Sequence, residues 1–211
     1  MKLVWIRHGE TDSNREHRYL GHSDVPLNEH GYLHVSELAK ELPVLIGRPA
    51  VIYSSDLLRC IQTAELLAAA WGLSVIPEPA LRELSFGEWE LMTYDELMQT
   101  DPVRATGWYD DPFRNRPPQG ESLEELGMRV DRWLRSLLER ASKEEEASDT
   151  VVIVTHGGVI RWFQAAWFEN NPDRYWQVDG VKHGEALVAE CLDVEGQSWM
   201  RQPLKSKRGT S

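Results

Sequence analysis

The chain has 211 residues, a length typical of one domain, and its 41% hydrophobic and 27% charged residues are ordinary for a globular protein. The formal net charge of −11 without a basic stripe excludes a general nucleic-acid binder, and no run of about eighteen apolar residues is present to span a membrane. With Cys60 and Cys191 as the only cysteines and no signal-peptide pattern at the start, we expect no disulfide framework and a cytoplasmic location.

Five strands are predicted, at residues 2–6, 50–53, 75–77, 150–154 and 186–193. The first and fourth are almost wholly apolar. This composition is typical of interior strands that are covered on both faces.

Apolar residues recur at steps of three and four between the strands, at residues 32–42, 57–71 and 123–137, and a further helix is expected from Val159. Asn28 is a candidate N-cap for the first helix, and a capping box of Ser122 and Glu125 precedes the third. Strands that alternate with helices predict an α/β fold. We expect a three-layer sandwich in which helices flank a mainly parallel central sheet.

Residues 85–121 depart from this alternation, because they are rich in aromatic residues, Asp, Arg and Pro. We interpret them as a largely helical cap or substrate insertion within a single domain of residues 1–211. Their aromatic side chains suit either stacking on a flat substrate group or a small core of the insertion itself. The charged run at 139–149 is interpreted as a helix end with a surface loop, and the basic residues at 205–211 as a solvated end.

Polar and reactive residues follow three of the predicted strands. Residues 7–9 (Arg-His-Gly) follow the first strand, and residues 155–158 (Thr-His-Gly-Gly) follow the fourth. Residues 54–55 (Ser-Ser) follow the second strand and lead into a helix with Arg59 in its first turn. Because ligands bind beyond the carboxyl ends of the strands in open α/β sheets, we expect these residues to converge on one point.

Such a point suits a phosphate group. Arginine offers paired donors to phosphoryl oxygens, and helix N-termini present unpaired N–H groups with a positive dipole end. Two histidines, His8 and His156, also suit a metal ion, but no HxH, HxxxH or CxxC spacing accompanies them. We therefore expect no metal and no other cofactor.

Five segments, in chain order, resemble the histidine phosphatase superfamily, whose fold is phosphoglycerate mutase-like. They are "RHGET" at 7–11 followed by Asn14, "LGHSDVPLNEHG" at 20–31, "YSSDLLRCIQTAE" at 53–65, "LRELSFGEWE" at 81–90 and "VVIVTHGGVIR" at 151–161. One three-residue match would be weak, but five ordered segments across nearly the whole chain are specific.

The resemblance implies a phosphoryl transfer in two steps. It makes His8 the nucleophile that forms a phosphohistidine, and Glu83 the acid that protonates the leaving oxygen and then activates water. The residues that it implies for binding the phosphoryl group are Arg7, Asn14, Gly21, Arg59, His156 and Gly157. By spacing alone, Glu88, Glu90 and Glu121 compete with Glu83, and only the resemblance selects among them.

The segment after Glu83, "SFGEWELMTYDELM", is similar to the phosphatase branch of the family and differs from the mutases. Within that branch, "WYDDPF", "PPQGESLEELGMRV" and, at 175–188, "YWQVDGVKHGEALV" are most similar to α-ribazole-5′-phosphate phosphatases, although phosphoserine and broad-specificity phosphatases share much of the pattern. We therefore expect a small-molecule phosphate ester as the partner. A mutase, or a silent phosphate-binding module, is the alternative, but the silent module predicts damage to the catalytic set, which is intact. Nine tryptophans suit either buried helix faces or a homodimer interface.

Overall fold

A six-stranded sheet lies at the centre of the computed structural model, which describes residues 1–141, 150–192 and 198–202. The strands are β1 (Lys2–Arg7), β2 (Val51–Ser54), β3 (Val75–Pro77), β4 (Thr150–Thr155), β5 (Ala186–Cys191) and β6 (Trp199–Gln202). Their order in the sheet is β3-β2-β4-β1-β5-β6. The first four strands are parallel, β5 is antiparallel to β1, and β6 is antiparallel to β5.

The α-helices of the described chain are α1 (Asp12–Arg15), α2 (Glu29–Ile46), α3 (Leu58–Ala69), α4 (Tyr94–Thr100), α5 (Pro102–Asp110), α6 (Leu123–Ala141) and α7 (Gly157–Phe163). A π-helical turn at Gln164–Phe168 continues α7. In this part of the chain, no helix is long and apolar enough to cross a membrane.

Two hydrophobic clusters cover the two faces of the sheet. Leu3 and Trp5 of β1 point into a cluster that includes the buried side chains of α6 and α7. Val4 and Ile6 point into a second cluster, with the buried side chains of α2 and α3. Because neighbouring side chains of a strand point to opposite faces, an almost wholly apolar strand fills both clusters at once. The architecture is therefore the predicted three-layer α/β sandwich.

Local signals located most of the elements. The Asn28 side chain accepts a hydrogen bond from the Gly31 N–H at the start of α2, and Ser122 and Glu125 exchange the two bonds of a capping box. Strand β6 was not predicted, because four residues in a polar segment carry little periodicity of their own. The helix expected from Val159 begins two residues earlier.

Residues 85–121 contain α4, α5 and a 3₁₀ turn at Gly87–Trp89. Trp89 and Trp108 are buried in the same cluster as Trp5, so this segment shares the main core. Its role as a substrate insertion remains a prediction. The end of the charged run, residues 142–149, lies outside the described residues, as do residue 193 of the fifth predicted strand and the basic residues 205–211.

Candidate active site

The carboxyl ends of β1, β4 and β2 meet at one edge of the sheet, since β4 lies between the other two strands. Arg7 pairs with Thr155 in the register of β1 and β4. The ladder continues past the strands, because the N–H of His8 donates to the Thr155 carbonyl at 2.9 Å and the N–H of Ser55 donates to the Val154 carbonyl at 2.9 Å. The expected convergence of the strand ends is confirmed.

His8 is almost fully buried at this edge, and its ring centroid lies 5.1 Å from that of His156. Its Nδ1 lies 2.7 Å from the carbonyl oxygen of Gly9, which fixes the tautomer that carries the proton on Nδ1 and leaves the Nε2 lone pair free. Burial, with Arg59 nearby, holds the pKa of His8 well below its usual 6.5. The neutral, oriented imidazole is the form that acts as a nucleophile.

His156 is fully buried and caps α7. Its Nε2 lies 2.9 Å from the Ser55 hydroxyl oxygen and 3.4 Å from Cys60 Sγ. Burial, followed by the charge of Arg59, holds the pKa of His156 well below 6.5. Ser55 and Cys60 thus fix the ring beside His8.

Arg59 is fully buried and Arg7 is half-buried at the site, and burial lowers the pKa of each guanidinium group. Arg59 donates to the carbonyl oxygens of Gly21 and Ser23 at 2.6 and 2.9 Å, and Arg7 donates to the Val181 carbonyl at 3.0 Å. The Nε atoms of both arginines are buried without a hydrogen-bond partner among the described residues. Such donors are costly to leave unpaired, so the pair suits an anionic ligand.

The carboxylate of Glu90 organises the loop that holds Arg59. Its two oxygens accept N–H groups of Gly21, His22, Ser23 and Phe86 at 2.8–3.1 Å. The carbonyls of the same loop then accept from Arg59. The chain of contacts runs from Glu90 through the loop to Arg59.

The carboxylate of Glu83 lies at the start of α7, where it accepts the N–H groups of Gly158 and Leu84, each at 2.9 Å. A Cβ at Gly158 would stand 2.1 Å from Glu83 Oε1, so only glycine allows this approach. The backbone carbonyl of Glu83 lies 2.9 Å from His22 Nε2 and accepts from Arg129 at 2.8 Å. Contacts on both sides therefore fix its position.

The three competing carboxylates have other partners. Glu88 is exposed and accepts from the Gln119 amide, whereas Glu121 accepts two hydrogen bonds from Arg129. Glu90 serves the loop described above. Of the four glutamates, Glu83 lines the cavity at the site.

That cavity has a volume of about 270 Å³. Its lining residues in the described chain are Arg7, Glu83, Leu84, Phe86, Trp108, Pro112, Leu123, Gly157, Gly158, Arg161, Tyr175 and Trp176. They include the predicted site residues Arg7, Glu83 and Gly157, whereas His8, Arg59 and His156 do not line the cavity. Its size suits a small molecule, and its lining combines polar groups with aromatic rings.

The remaining predicted binding residues occupy different positions. Gly157 begins α7 against Arg7, whose Cζ lies 3.2 Å from where a Gly157 Cβ would stand. Gly21 donates its N–H to Glu90 and its carbonyl accepts from Arg59, so it supports that arginine. Asn14 Oδ1 accepts from Thr11 at the start of α1. Direct phosphate contacts by Asn14, Gly21 and Gly157 remain predictions.

Sequence reasoning gave no role to three other residues that line the cavity. Tyr175 and Trp176 lie in the segment 175–188, which resembles the α-ribazole phosphatases, and Arg161 lies in the motif at 151–161. His183 was left without a role, although its ring lies 5.1 Å from that of His8 and its Nδ1 lies 3.2 Å from the His8 carbonyl. No periodicity or spacing links these residues to the site, so only the tertiary structure shows that they lie next to it.

Among the aromatic and basic residues of 85–121, some line the cavity and others lie at the surface. Trp108 is buried yet borders the cavity, whereas Tyr94 is exposed. The arginines form surface ion pairs, Arg104 with Asp101, Arg114 with Asp111 and Arg116 with Glu125. In the described ranges, no group of three or more His, Cys, Asp or Glu side chains is arranged to hold a metal ion.

Comparison with known proteins gives a match to the family model described as histidine phosphatase superfamily (branch 1) over residues 3–199. The chain is 32% identical over 162 residues to the adenosylcobalamin/alpha-ribazole phosphatase of Escherichia coli (strain K12), which covers 76% of this chain and 75% of that protein. It is 37% identical over 164 residues to a protein named probable phosphoglycerate mutase GpmB of Klebsiella pneumoniae subsp. pneumoniae. That alignment covers 74% of this chain and 70% of the relative. The crystal structure of the alpha-ribazole phosphatase from Shigella flexneri superposes with a TM-score of 0.86 at 28% identity, over 98% of this chain and 96% of that one.

Proposed function

Because the chain belongs to the histidine phosphatase superfamily (branch 1), we propose that it hydrolyses a small-molecule phosphate monoester through a phosphohistidine on His8. Family membership makes the chain an enzyme of the phosphoric monoester hydrolase class, which acts on small phosphate esters. The intermediate, the residue roles and the substrate are the content of the proposal.

In the first step, His8 Nε2 attacks the phosphorus atom, an N–P bond forms and the ester P–O bond breaks. The cationic Arg7 and Arg59 bind the phosphoryl oxygens through their guanidinium groups and stabilise the charge in transit. His156 lies beside His8 and adds a third donor. Protonated Glu83 transfers its proton to the leaving oxygen, so the alcohol departs neutral.

In the second step, Glu83 is a carboxylate and takes a proton from water, whose oxygen attacks phosphorus. The N–P bond breaks, inorganic phosphate leaves, and His8 returns to the neutral form with its Nε2 lone pair. The low pKa of His8 favours that form at neutral pH. Every group in this cycle is a side chain, and the residues that bind phosphate supply the positive charge.

One observation carries the proposal: two buried histidines, the buried Arg59, the half-buried Arg7 and one cavity-lining glutamate meet at the ends of β1, β2 and β4. None of these side chains alone would indicate phosphoryl transfer. Burying two guanidinium groups beside two neutral imidazoles is unfavourable unless an anion binds between them.

The direct test is hydrolysis of p-nitrophenyl phosphate by wild-type protein and by the His8→Ala variant. We expect turnover to fall by at least about 10³-fold, because the nucleophile is lost. His30→Ala is the matched control, since its side chain is 56% exposed, and it should keep full activity. Quenched wild-type enzyme should carry acid-labile, base-stable phosphate, and undiminished turnover in His8→Ala would overturn the assignment.

A phosphoglycerate mutase is the second candidate, because a relative at 37% identity has that name. A mutase keeps the phosphohistidine from water and returns the phosphoryl group to a second molecule. Incubation with 3-phosphoglycerate and bisphosphoglycerate separates the two. Release of inorganic phosphate supports hydrolysis, and rapid isomerisation with little free phosphate would establish the mutase.

For the substrate, we propose α-ribazole-5′-phosphate. The name of the E. coli relative and the aromatic side chains that line the cavity, Phe86, Trp108 and Trp176, both support a flat ring on the leaving alcohol. A panel of α-ribazole phosphate, phosphoserine and sugar phosphates tests this. Equal kcat/KM on all of them would refute it.

The cytoplasmic location and a homodimer also stay parts of the proposal, as does the substrate-binding role of residues 85–121. Cell fractionation tests the first and light scattering the second. For the third, exchanging Trp108 for Leu should change KM for a ring-bearing ester more than for a sugar phosphate.

A further inference from the structure

Tyr175 has a hydroxyl group that the proposed mechanism does not use. The residue is only 5% exposed, and it lines the cavity of the candidate active site. Its hydroxyl oxygen has no hydrogen-bond partner among the described residues, yet it is not among the sealed unpaired atoms, so it opens into the cavity. A hydroxyl so placed hydrogen-bonds to whatever occupies the cavity, since leaving it unpaired is unfavourable.

The hydroxyl lies beside the candidate acid. Glu83 Oε1 and the Tyr175 oxygen lie 2.1 and 2.9 Å from the point where a Cβ at Gly158 would stand. Both groups therefore lie over the same glycine, close to the start of α7. Glu83 contacts the ester oxygen in the proposed mechanism, so Tyr175 faces the part of the alcohol just beyond that oxygen.

Tyr175 acts as a donor throughout the working pH range. Burial, and next the charge of Glu83, raises the pKa of its phenol. Arg161 lies on the same wall, where it donates to the Val178 carbonyl at 2.8 Å, and no carboxylate of the described chain lies within ion-pair distance of it. The wall thus presents donors and positive charge, and it suits an acceptor oxygen.

We propose that the Tyr175 hydroxyl selects phosphate esters whose leaving alcohol carries a second oxygen, a hydroxyl or a carboxylate, by donating a hydrogen bond to it. This inference rests on the proposed phosphatase function. It makes Tyr175 a specificity-determining residue that acts on the leaving alcohol and not on the phosphoryl group.

The competing explanation is that Tyr175 only positions Glu83. The two differ in what they predict for an ester without a second oxygen. A residue that positions the acid affects every alkyl phosphate and shifts the pH profile of kcat. A residue that binds the second oxygen affects only esters that have one.

The experiment compares wild type with Tyr175→Phe, which removes one oxygen and keeps the ring. Benzyl phosphate is the ester without a second oxygen, and its alkyl alcohol still requires an acid. α-Ribazole phosphate and ribose 5-phosphate form the hydroxyl arm, and phosphoserine and the phosphate ester of 3-hydroxypropanoate, neither of which has a free hydroxyl, form the carboxylate arm. Tyr53→Phe, in β2 and away from the cavity, is the matched control for loss of a tyrosine hydroxyl.

We expect Tyr175→Phe to lower kcat/KM roughly 3- to 10-fold in the hydroxyl arm, or 10-fold or more in the carboxylate arm, with benzyl phosphate unchanged. The arm that responds identifies the oxygen. An equal loss on benzyl phosphate, or no loss in either arm, would overturn the role of Tyr175. If the wild-type protein hydrolyses none of the five esters, the proposed function itself is overturned.

Discussion

Replacing Glu90 with Gln separates support of the site from its chemistry. Each oxygen of the Glu90 carboxylate accepts two N–H groups, one from His22 and one from Phe86 at Oε1, and those of Gly21 and Ser23 at Oε2. Glutamine keeps the shape but has one acceptor oxygen. Two backbone N–H groups would then face an NH₂ group, which donates and does not accept.

The cost follows from those bonds. A hydrogen bond to a charged group contributes about 1.5–3 kcal/mol, and two are lost. Glu90 is half-buried, so water compensates in part and we expect the lower end, about 3 kcal/mol of unfolding free energy. For a domain of this size, each kcal/mol shifts Tm by about 2–4 °C, so Tm should fall by about 6–12 °C.

Activity should fall further than stability alone explains. The carbonyls of Gly21 and Ser23 hold the Arg59 guanidinium, and a loop released from Glu90 no longer fixes them. A displacement of about 1 Å in a group that binds the transferring phosphoryl costs about 100-fold in rate. We expect that loss in kcat on p-nitrophenyl phosphate, at a temperature where the variant is fully folded.

The matched control is Glu88→Gln, which changes an exposed carboxylate with one hydrogen bond, from the Gln119 amide. It should alter the unfolding free energy by less than about 0.5 kcal/mol and leave kcat unchanged. A double-mutant cycle of Glu90→Gln with Arg59→Lys should be non-additive, because both act on one contact chain. A folded Glu90→Gln variant with wild-type kcat, or a Tm within 2 °C of wild type, would refute the reasoning.

Stability should also depend on pH through the buried histidines. Below pH 6.5 the unfolded chain protonates His8 and His156, whose pKa values in the folded chain are well below 6.5. Stability is therefore full above pH 6.5 and falls towards the folded pKa values, by up to about 1.4 kcal/mol per pH unit for each histidine. Urea unfolding between pH 7.5 and 5 measures the slope, and a His156→Asn variant with an unchanged slope would contradict the role of burial. In α6, Gly127→Ala should cost about 1–3 kcal/mol, because its Cβ would lie 2.1 Å from the buried ring of Trp162. Gly107→Ala in α5, with open space around its Cβ, is the control and should be neutral or stabilising in thermal unfolding, so equal losses would be inconsistent with a steric cause.

Local patterns in the sequence were enough for most of the fold. An apolar run such as 151–154 predicts a strand covered on both faces, and the Asn28 and Ser122 caps mark helix starts through bonds only three residues long. The ordered motifs also placed Arg7 and His156 at neighbouring strand ends. This prediction succeeded because α/β sheets bring the carboxyl ends of parallel strands to one edge.

Contacts between distant residues decided the rest. Strand β6 is only four residues long, so its pairing with β5, not its own periodicity, makes it a strand. Glu83 and its competitors have the same side chain within a short stretch of sequence. Their hydrogen-bond partners separate them. Glu83 bonds Gly158, which is 75 positions away in the sequence, and Glu90 bonds a different loop, which is 67–69 positions away. Both contacts are long-range, so the local sequence does not specify either of them.

The sequence by itself therefore determined the sandwich, the strand ends and the family, because these depend on short-range periodicity and on residue order. The tertiary structure alone decided which glutamate lines the cavity, what holds Arg59 and that Tyr175 enters the site. Each of these depends on long-range packing, where burial and hydrogen-bond partners are set by residues that the local sequence does not specify.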